Sequence, residues 1–434
     1  MDFLRAYLRT LNPPLPASVR TLQAGALINA LGNGLAYPFL FIYLHNVRDI
    51  DLATAGFIVG TNSAVGLVAG PVVGSIIDKV GGRVTLAFSL WLLAIGFGGF
   101  AFVEHPWQGF LASAIAGIGN GGFWPSQSSL IAGLTPTEQR HQAFAMQRVM
   151  MNLGIGLGGL AGGLIATTAN PTSFQVLFLG DAATFLVYSV VLLRVPAPAR
   201  QPRPEGRERG GYAEVVRNRV FMAVVALNVV FIGAGMAQLE TLPVYAKNEA
   251  GVTERGIGFL FFLNTLVIVL AQLPMARLLE GHRRMRTLGL LGVVWAAGLL
   301  IVPIAGIAVD GWTAAALLAV TFAVIAVGEC LHGTVQAPLV ADLADHSLIG
   351  RYMAASAFSW GVGFAVGPAI GGVVLNNSPH LLWPAAAAVC LAAGAAALAL
   401  ERSIPVAART TPSRAQPAVP ERPRKAAPRV ESVR

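Results

Sequence analysis

The sequence predicts an all-α polytopic membrane protein whose twelve transmembrane helices form two six-helix bundles related by a parallel pseudo-two-fold repeat. Three observations carry that prediction. Only 12% of the 434 residues are charged against 55% hydrophobic, with a mean hydropathy of +0.65. That is about half the charged share of ordinary soluble domains, too little to cover a water-facing surface, so much of the surface meets lipid. Apolar runs of the roughly 20 residues that cross a bilayer recur twelve times. The second half of the chain also repeats the first in constant register.

The spans read as 21–45, 54–78, 83–104, 107–133, 140–168, 172–194, 219–246, 253–279, 284–307, 311–340, 349–375 and 379–401. The first is too long for a signal-peptide core and lacks a cleavage site, so it stays as a helix. Of 30 Lys and Arg, only Arg48, Lys247 and Arg255 fall on one side of the membrane and only Arg148 within a span. The positive-inside rule therefore predicts a plasma-membrane protein with both termini cytoplasmic. Residues 1–20 form a cytoplasmic N-terminal segment in which 2–11 suit either an interfacial helix or an irregular start. The bundles are 21–194 and 219–401, joined by a charged, Pro-containing cytoplasmic linker at 195–218. A basic, Pro-rich tail, 402–434, is expected to be disordered.

Six spans per half give both halves the same orientation, so a duplication must be parallel. At an offset of 202, Tyr43, Gly56, Phe57, Asn62 and Ser63 match Tyr245, Gly258, Phe259, Asn264 and Thr265, and Asp78 stands opposite Glu280. At an offset of 209, Gly119, Gln127, Leu130 and Leu134 match Gly328, Gln336, Leu339 and Leu343, and Gly154, Gly158, Gly162 and Gly163 match Gly363, Gly367, Gly371 and Gly372. Two such bundles place a binding site between them, near mid-membrane.

Between spans two and three, Gly74-Ser-Ile-Ile-Asp78-Lys79-Val-Gly81-Gly82-Arg83 resembles the loop signature of the major facilitator superfamily, with Gly82 replacing a usual basic residue. The resemblance implies a helix-packing role for Gly74 and a conformational latch built by Asp78, Lys79, Gly81 and Arg83. The second half carries a degraded counterpart at Arg277-Leu-Leu-Glu280-Gly-His-Arg283-Arg284. Span five (Gly154, Gly158, Gly162) and span eleven (Gly363, Gly367, Pro368, Gly371) resemble the Gly-Pro-Gly-Gly motif of the family's twelve-span drug-proton antiporters, although Pro stands only in the second copy. Glycines four apart share one helix face and let a second backbone approach, so helix packing explains them equally well. The antiporters' Arg signature in span four, the sugar-porter signatures and the E-x-x-E-R pattern of peptide carriers are absent. The resemblance covers about residues 20–401 and implies secondary transport.

Of 21 acidic residues only Asp181, Glu240 and Glu329 fall inside spans, and Arg148 is the single basic one. Each costs about 2.5–3.5 kcal/mol on insertion scales, which makes each a functional candidate. Glu329 leads as proton carrier or substrate contact, being far from either end of span ten, with His332 at i+3 as a second protonatable group on the same face. Glu240, near the external end of span seven, suits a gate or cation contact. Asp181, about two turns from the external end of span six, suits a local role or a cavity one. Arg148, about two turns in from the cytoplasm, either snorkels or pairs with a carboxylate. Polar Asn33, Tyr37, Asn62, Gln127, Asn264 and Gln336 and aromatic Trp124 and Trp360 are candidate cavity residues, since polar atoms in lipid need internal partners.

No enzyme motif is present: the seven His lack metal-ligand spacing and there is no P-loop. Cys330 and Cys390 lie in apolar runs and build neither a disulfide framework nor a metal site. No cofactor and no metal are expected. The basic pI, near 10.1, reflects topology, not a nucleic-acid partner. The partners expected of a monomer here are a small-molecule substrate, protons and the lipid bilayer. The function favoured is export of small amphipathic molecules against inward proton flow, the substrate neutral or cationic if all three carboxylates face one cavity. Proton-coupled import, a facilitator and a non-transporting receptor or scaffold are the alternatives.

Overall fold

The computed structural model describes residues 15–136, 139–197, 212–309, 311–344 and 348–411. The expectations for residues 2–11, for most of the linker and for the tail beyond Thr411 lie outside these, as do the surroundings of Gly74 and the side chain of Asp78.

Among the described residues, twelve long helices appear where the apolar runs place them: α1 Ala17–Ala36, α2 Leu52–Val80, α3 Gly82–Phe100, α4 Pro106–Leu134, α5 Arg140–Ile165, α6 Thr172–Leu192, α7 Arg219–Ala234, α8 Glu254–Leu278, α9 Arg284–Ile307, α10 Gly311–Leu343, α11 Ile349–Asn377 and α12 Leu382–Leu400. Eleven are apolar enough to cross a membrane; α4 is as long, but polar Ser113, Asn120, Ser126 and Gln127 dilute it. The first and seventh spans are not single helices. Beyond α1 the chain tightens into a 3-10 turn at Tyr37–Phe39 and a π turn at Tyr43–Val47, and beyond α7 into a 3-10 turn at Met236–Glu240 and a short helix at Leu242–Asn248. Pro38 and Pro243 lack the N–H that a continuous helix requires there. Local capping chemistry begins and ends several helices. Asp51 Oδ1 accepts the Thr54 N–H at 2.9 Å to start α2, which holds the Asp51 carboxyl below its ordinary range. Gly81, at φ +90°, makes the abrupt turn from α2 into α3.

The duplication is visible in the packing. In the first half the principal pairs are α1–α5, α1–α6, α2–α4, α3–α4 and α3–α6; in the second they are α7–α11, α7–α12, α8–α10, α9–α10 and α9–α12. Each pair has its counterpart six helices on. Only α2–α11 and α5–α8 join the halves extensively, and these two are counterparts of one another.

Both joints are glycine crossings. At α2–α11, a Cβ at Gly372 would lie 3.0 Å from Gly56 Cα; at α5–α8, one at Gly163 would lie 2.9 Å from Gly258 Cα. The four residues are pairwise equivalent under the repeat. We call the end holding the starts of α1 and α5 and Arg20, Arg83, Arg140 and Arg277 the basic face. The crossings sit toward the other end, where Asn46 also donates to Asn248 at 2.7 Å across the halves. Beyond Leu67, which packs on Gly361, the basic-side third of α2 exposes Val72, Ile76 and Val80, and α11 exposes Met353 and Phe358. The halves are closed at the opposite face and part toward the basic one.

The chain stays ordered past α12, where the sequence suggests an irregular tail. The Arg284 N–H donates to Arg409 O (2.8 Å) and the Thr411 N–H to His282 O (3.0 Å), strapping 409–411 to the α8–α9 loop. Arg284 is 1% exposed; its guanidinium donates to Ala408 O and pairs with Asp342 at 2.6 Å, which offsets part of the cost of burying the charge.

Candidate functional site

Glu329 sits near the middle of α10. Asn264 Nδ2 on α8 donates both to Glu329 Oε1 and to Phe322 O, each at 3.3 Å. One turn on, His332 is buried with Nε2 2.7 Å from Asn228 Oδ1 on α7. Asn228 Nδ2 donates to Ser359 Oγ (2.7 Å), and that hydroxyl donates to Ser356 O (2.6 Å). With the amide nitrogen spent there, Oδ1 must accept, which puts a proton on His332 Nε2. The imidazole stacks on Trp295 at 6.1 Å and meets Trp360 edge-on at 5.3 Å, while Trp360 stacks on Phe364 at 6.3 Å. One wall of the site is thus a carboxylate beside a ring held in an aromatic sleeve.

The facing charge comes from the other half. Arg148 projects from α5 over Gly333 of α10, where a Cβ would lie 3.3 Å from Nη1. Its side chain is exposed. Among the described residues its guanidinium has no hydrogen-bond or ion-pair partner. Asn152 turns its amide back to Arg148 O at 2.9 Å instead of into the cavity.

The other candidates are distributed. Asn62 accepts from Asn120 (2.7 Å), joining α2 to α4 inside the first half. Gln127 donates to Tyr188 OH (3.0 Å) and accepts from Gln147 (3.1 Å), a buried network of α4, α5 and α6. Gln336 is buried with Nε2 unpartnered, Trp124 is half-exposed one turn from Asn120, and Asn33 lies on the partly buried face of α1. Asp181 is separate from all of these: 0% exposed, it lies against Gly32 of α1 with Thr184 its only hydrogen-bond partner among the described residues. The three intramembrane carboxylates therefore do not share one cavity, and the charge count behind a cationic substrate does not hold.

Glu240 belongs to the closed end. Tyr37 OH donates to Glu240 Oε1 at 2.6 Å, joining the broken segment after α1 to the one after α7, while Oε2 is buried without a partner. On the same side Glu254 pairs with Lys247 (2.8 Å) and accepts the Thr168 N–H (2.9 Å) across the halves.

The glycine motifs divide by face. Gly154, Gly158 and Gly162 pack on Leu27–Phe39 of the first span, and Gly363, Gly367 and Gly371 on Ile232–Thr241 of the seventh, each within its own half. In the loop motif Arg83 donates to Leu193 O at 2.9 Å, tying α3 to the end of α6. Ser359, Trp295 and Gln272 escaped the sequence reading. Gln272, eight residues after Asn264 and so on its face, is the one with a readable signal.

The family model described as Major Facilitator Superfamily matches residues 23–253 and 239–432. The chain belongs to the major facilitator superfamily. Within the superfamily, it is 25% identical to the uncharacterized MFS-type transporter YqjV of Bacillus subtilis, over 82% of this chain and 86% of that one. It is 24% identical to the multidrug resistance protein MdtH of Aeromonas hydrophila, over 83% and 90%. Among solved structures it is similar in fold to the nucleoside transporter NupG (TM-score 0.73, 13% identity, 88% and 99% covered). It is likewise similar to a POT family transporter in complex with 5-aminolevulinic acid (TM-score 0.74, 14% identity, 90% and 97% covered). It is a multi-pass membrane transporter.

Proposed function

We propose that this transporter exports small amphipathic molecules from the cytoplasm in exchange for protons, by alternating access, as a monomer in a bacterial plasma membrane with both termini inside. The observation that carries the reading is the placement of Glu329 and Arg148: a carboxylate in the middle of α10, and a guanidinium from α5 of the other half that reaches α10 one turn away, at Gly333. A carboxylate there gains and loses a proton in contact with whichever side is open. The Lys and Arg distribution supports calling the basic face cytoplasmic, so the open state is the one that loads substrate from inside. The aromatic surface of Trp360 and Phe364 suits flat, partly apolar molecules. The name of the MdtH relatives agrees with efflux.

The test is transport in proteoliposomes of known orientation, with a lipophilic dye as cargo and an imposed proton gradient. Dye should move against the proton flow, and Glu329→Gln should abolish the dependence on the gradient, because the amide keeps size and hydrogen bonding but cannot titrate. Movement indifferent to the gradient in the unaltered protein would end the coupling claim, and dye movement with the protons would reverse the direction.

A further inference from the structure

We propose that the basic end of the α9–α12 crossing binds one anionic phospholipid, its phosphate held between Arg286 and Arg402 and an acyl chain lying along Leu290 and Leu398. Such a site serves an importer as well as an exporter.

The two halves differ here at equivalent positions. At the offset of 202 that relates α3 to α9, Val84 stands where α9 has Arg286; at the offset of 209 that relates α6 to α12, Leu193 stands where the turn after α12 has Arg402. The register holds on both sides, since Thr85 and Thr287 are both buried, as are Val195 and Ile404. Val84 and Leu193 are 59% and 71% exposed, so the outward positions of the first half are apolar. Arg286 and Arg402 are exposed at the same two places. Topology alone does not require them there, because the first half keeps its basic residue in the loop, where Arg83 donates to Leu193 O at 2.9 Å.

Below the arginines the surface is apolar. Leu290 and Val293 follow Arg286 at i+4 and i+7, share its face of α9 and are exposed. Leu398, one turn before Arg402, is also exposed and reaches α9, where a Cβ at Gly289 would lie 2.9 Å from its Cδ2. One turn deeper the two backbones meet, a Cβ at Gly292 lying 3.0 Å from Gly394 Cα. Leu290 and Leu398 thus belong to one apolar surface leading from the arginines into the hydrocarbon.

The charge above that surface is unbalanced. Arg283 and Arg286 share Glu401, at 3.0 and 3.7 Å, and Arg402 follows Glu401 directly, so one carboxylate stands among three guanidiniums. Asp342 is committed to buried Arg284. Arg409 spends its guanidinium on Ile404 O (2.7 Å) and Arg402 O (3.0 Å), which fixes the turn that carries Arg402. Guanidiniums pair with phosphate oxygens through parallel hydrogen bonds. A lipid of net negative charge satisfies them, whereas the ammonium of a zwitterionic headgroup brings a further positive charge to the same place.

The experiment reads lipid preference at this surface against its equivalent in the first half. A fluorophore is placed on Leu290→Cys, or on Phe88→Cys at the matching position of α3, in the full chain with Cys330→Ala and Cys390→Ala, reconstituted in phosphatidylcholine liposomes. Quenching by brominated phosphatidylglycerol and by brominated phosphatidylcholine gives the relative affinity for the anionic lipid. The preference at Leu290 should exceed that at Phe88 by about 30-fold, about fivefold for each arginine near the surface. Arg286→Val with Arg402→Leu, which copies the first half, should bring Leu290 down to the level of Phe88; Arg286→Gln with Arg402→Gln serves if that variant does not express. Equal preference at the two labels, or a preference that survives loss of both arginines, would overturn the site. Inorganic phosphate should leave the quenching unchanged, and relief of quenching by phosphate but not by chloride at the same ionic strength would mean that the arginines take a soluble anion instead.

Discussion

The two halves share their packing and divide their chemistry. Every principal helix pair of the first half recurs in the second, and the joints use equivalent glycines: Gly56 with Gly372, Gly258 with Gly163. The titratable positions do not recur. Glu329 has Asn120 as its equivalent, His332 has Phe123, Gly333 has Trp124, Arg148 has Ala357, Asp181 has Cys390 and Glu240 has Pro38. Rocking about two joints requires that both close together, which rewards matched backbones. A buried charge is costly wherever it stands, which rewards having few. In the proposed mechanism, symmetry serves the motion and its absence serves the coupling.

The largest effect tests the shared part. Leu at Gly372 must displace the backbone of Leu52 and Gly56, and Leu at Gly163 must displace Glu254 O, now 2.7 Å from a Cβ there. Neither joint can then close at the opposite face, and each substitution should lower transport by about 100-fold or more, on the order of 3 kcal/mol. Because the joints are equivalent, Gly372→Leu and Gly163→Leu should do equal damage in a proteoliposome assay. A tenfold difference between them would show that one joint leads.

A smaller set of changes probes the asymmetry. Asn120→Glu in a Glu329→Gln background moves the carboxylate to the pseudo-symmetric place on α4. It should not restore proton coupling, because Ala357 stands where an arginine would be needed to face it. Restored pH-dependent dye flux would mean that any mid-depth carboxylate suffices and that the pairing with Arg148 is incidental.

The same division explains what the sequence made legible. The spans were readable because apolar length and Gly/Pro punctuation are local properties, and α9 begins and ends at 284 and 307 as expected. The breaks at Tyr37–Phe39 and Met236–Glu240 were marked only by Pro38 and Pro243, and proline alone does not distinguish a kink from a change of helix type. Side-chain direction was not readable. Asp181 and Glu329 look alike in a hydrophobic run, yet one packs on α1 and the other meets Asn264 of α8, because helix rotation is set by neighbours that sequence spacing does not name. The Asn228–Ser359 support of His332 was equally hidden, being a contact across 131 residues.

The Tyr37–Glu240 bond lies between these extremes, since its two residues occupy near-equivalent broken segments but differ in chemistry. It spans the halves at the closed end, so it stabilises only states closed there. A hydrogen bond contributes about 0.5–1.5 kcal/mol net, and leaving its buried partner unpaired costs about 1–3 kcal/mol. Tyr37→Phe should therefore shift the balance toward opening of the opposite face by about tenfold. Labels at Phe102→Cys and Trp312→Cys, exposed on the two halves at that end, measure it. An unchanged distance distribution would place the closing energy in the glycine joints alone.

The smallest effect is expected at Asp181, and its smallness is informative. The carboxyl is 0% exposed, packed on Gly32 and hydrogen-bonded to Thr184, with Oδ2 unpartnered. None of its contacts crosses between the halves, so rocking leaves its surroundings as they are, and a group whose environment is the same in both states cannot bias either. Asp181→Asn preserves volume and still accepts from Thr184. Transport and its pH dependence should stay within about twofold of the parent, the range of ordinary additive, uncoupled changes. A tenfold loss of proton-driven flux, with normal expression, would instead mean that α1 and α6 separate during the cycle and that the first half is not the rigid body its packing describes.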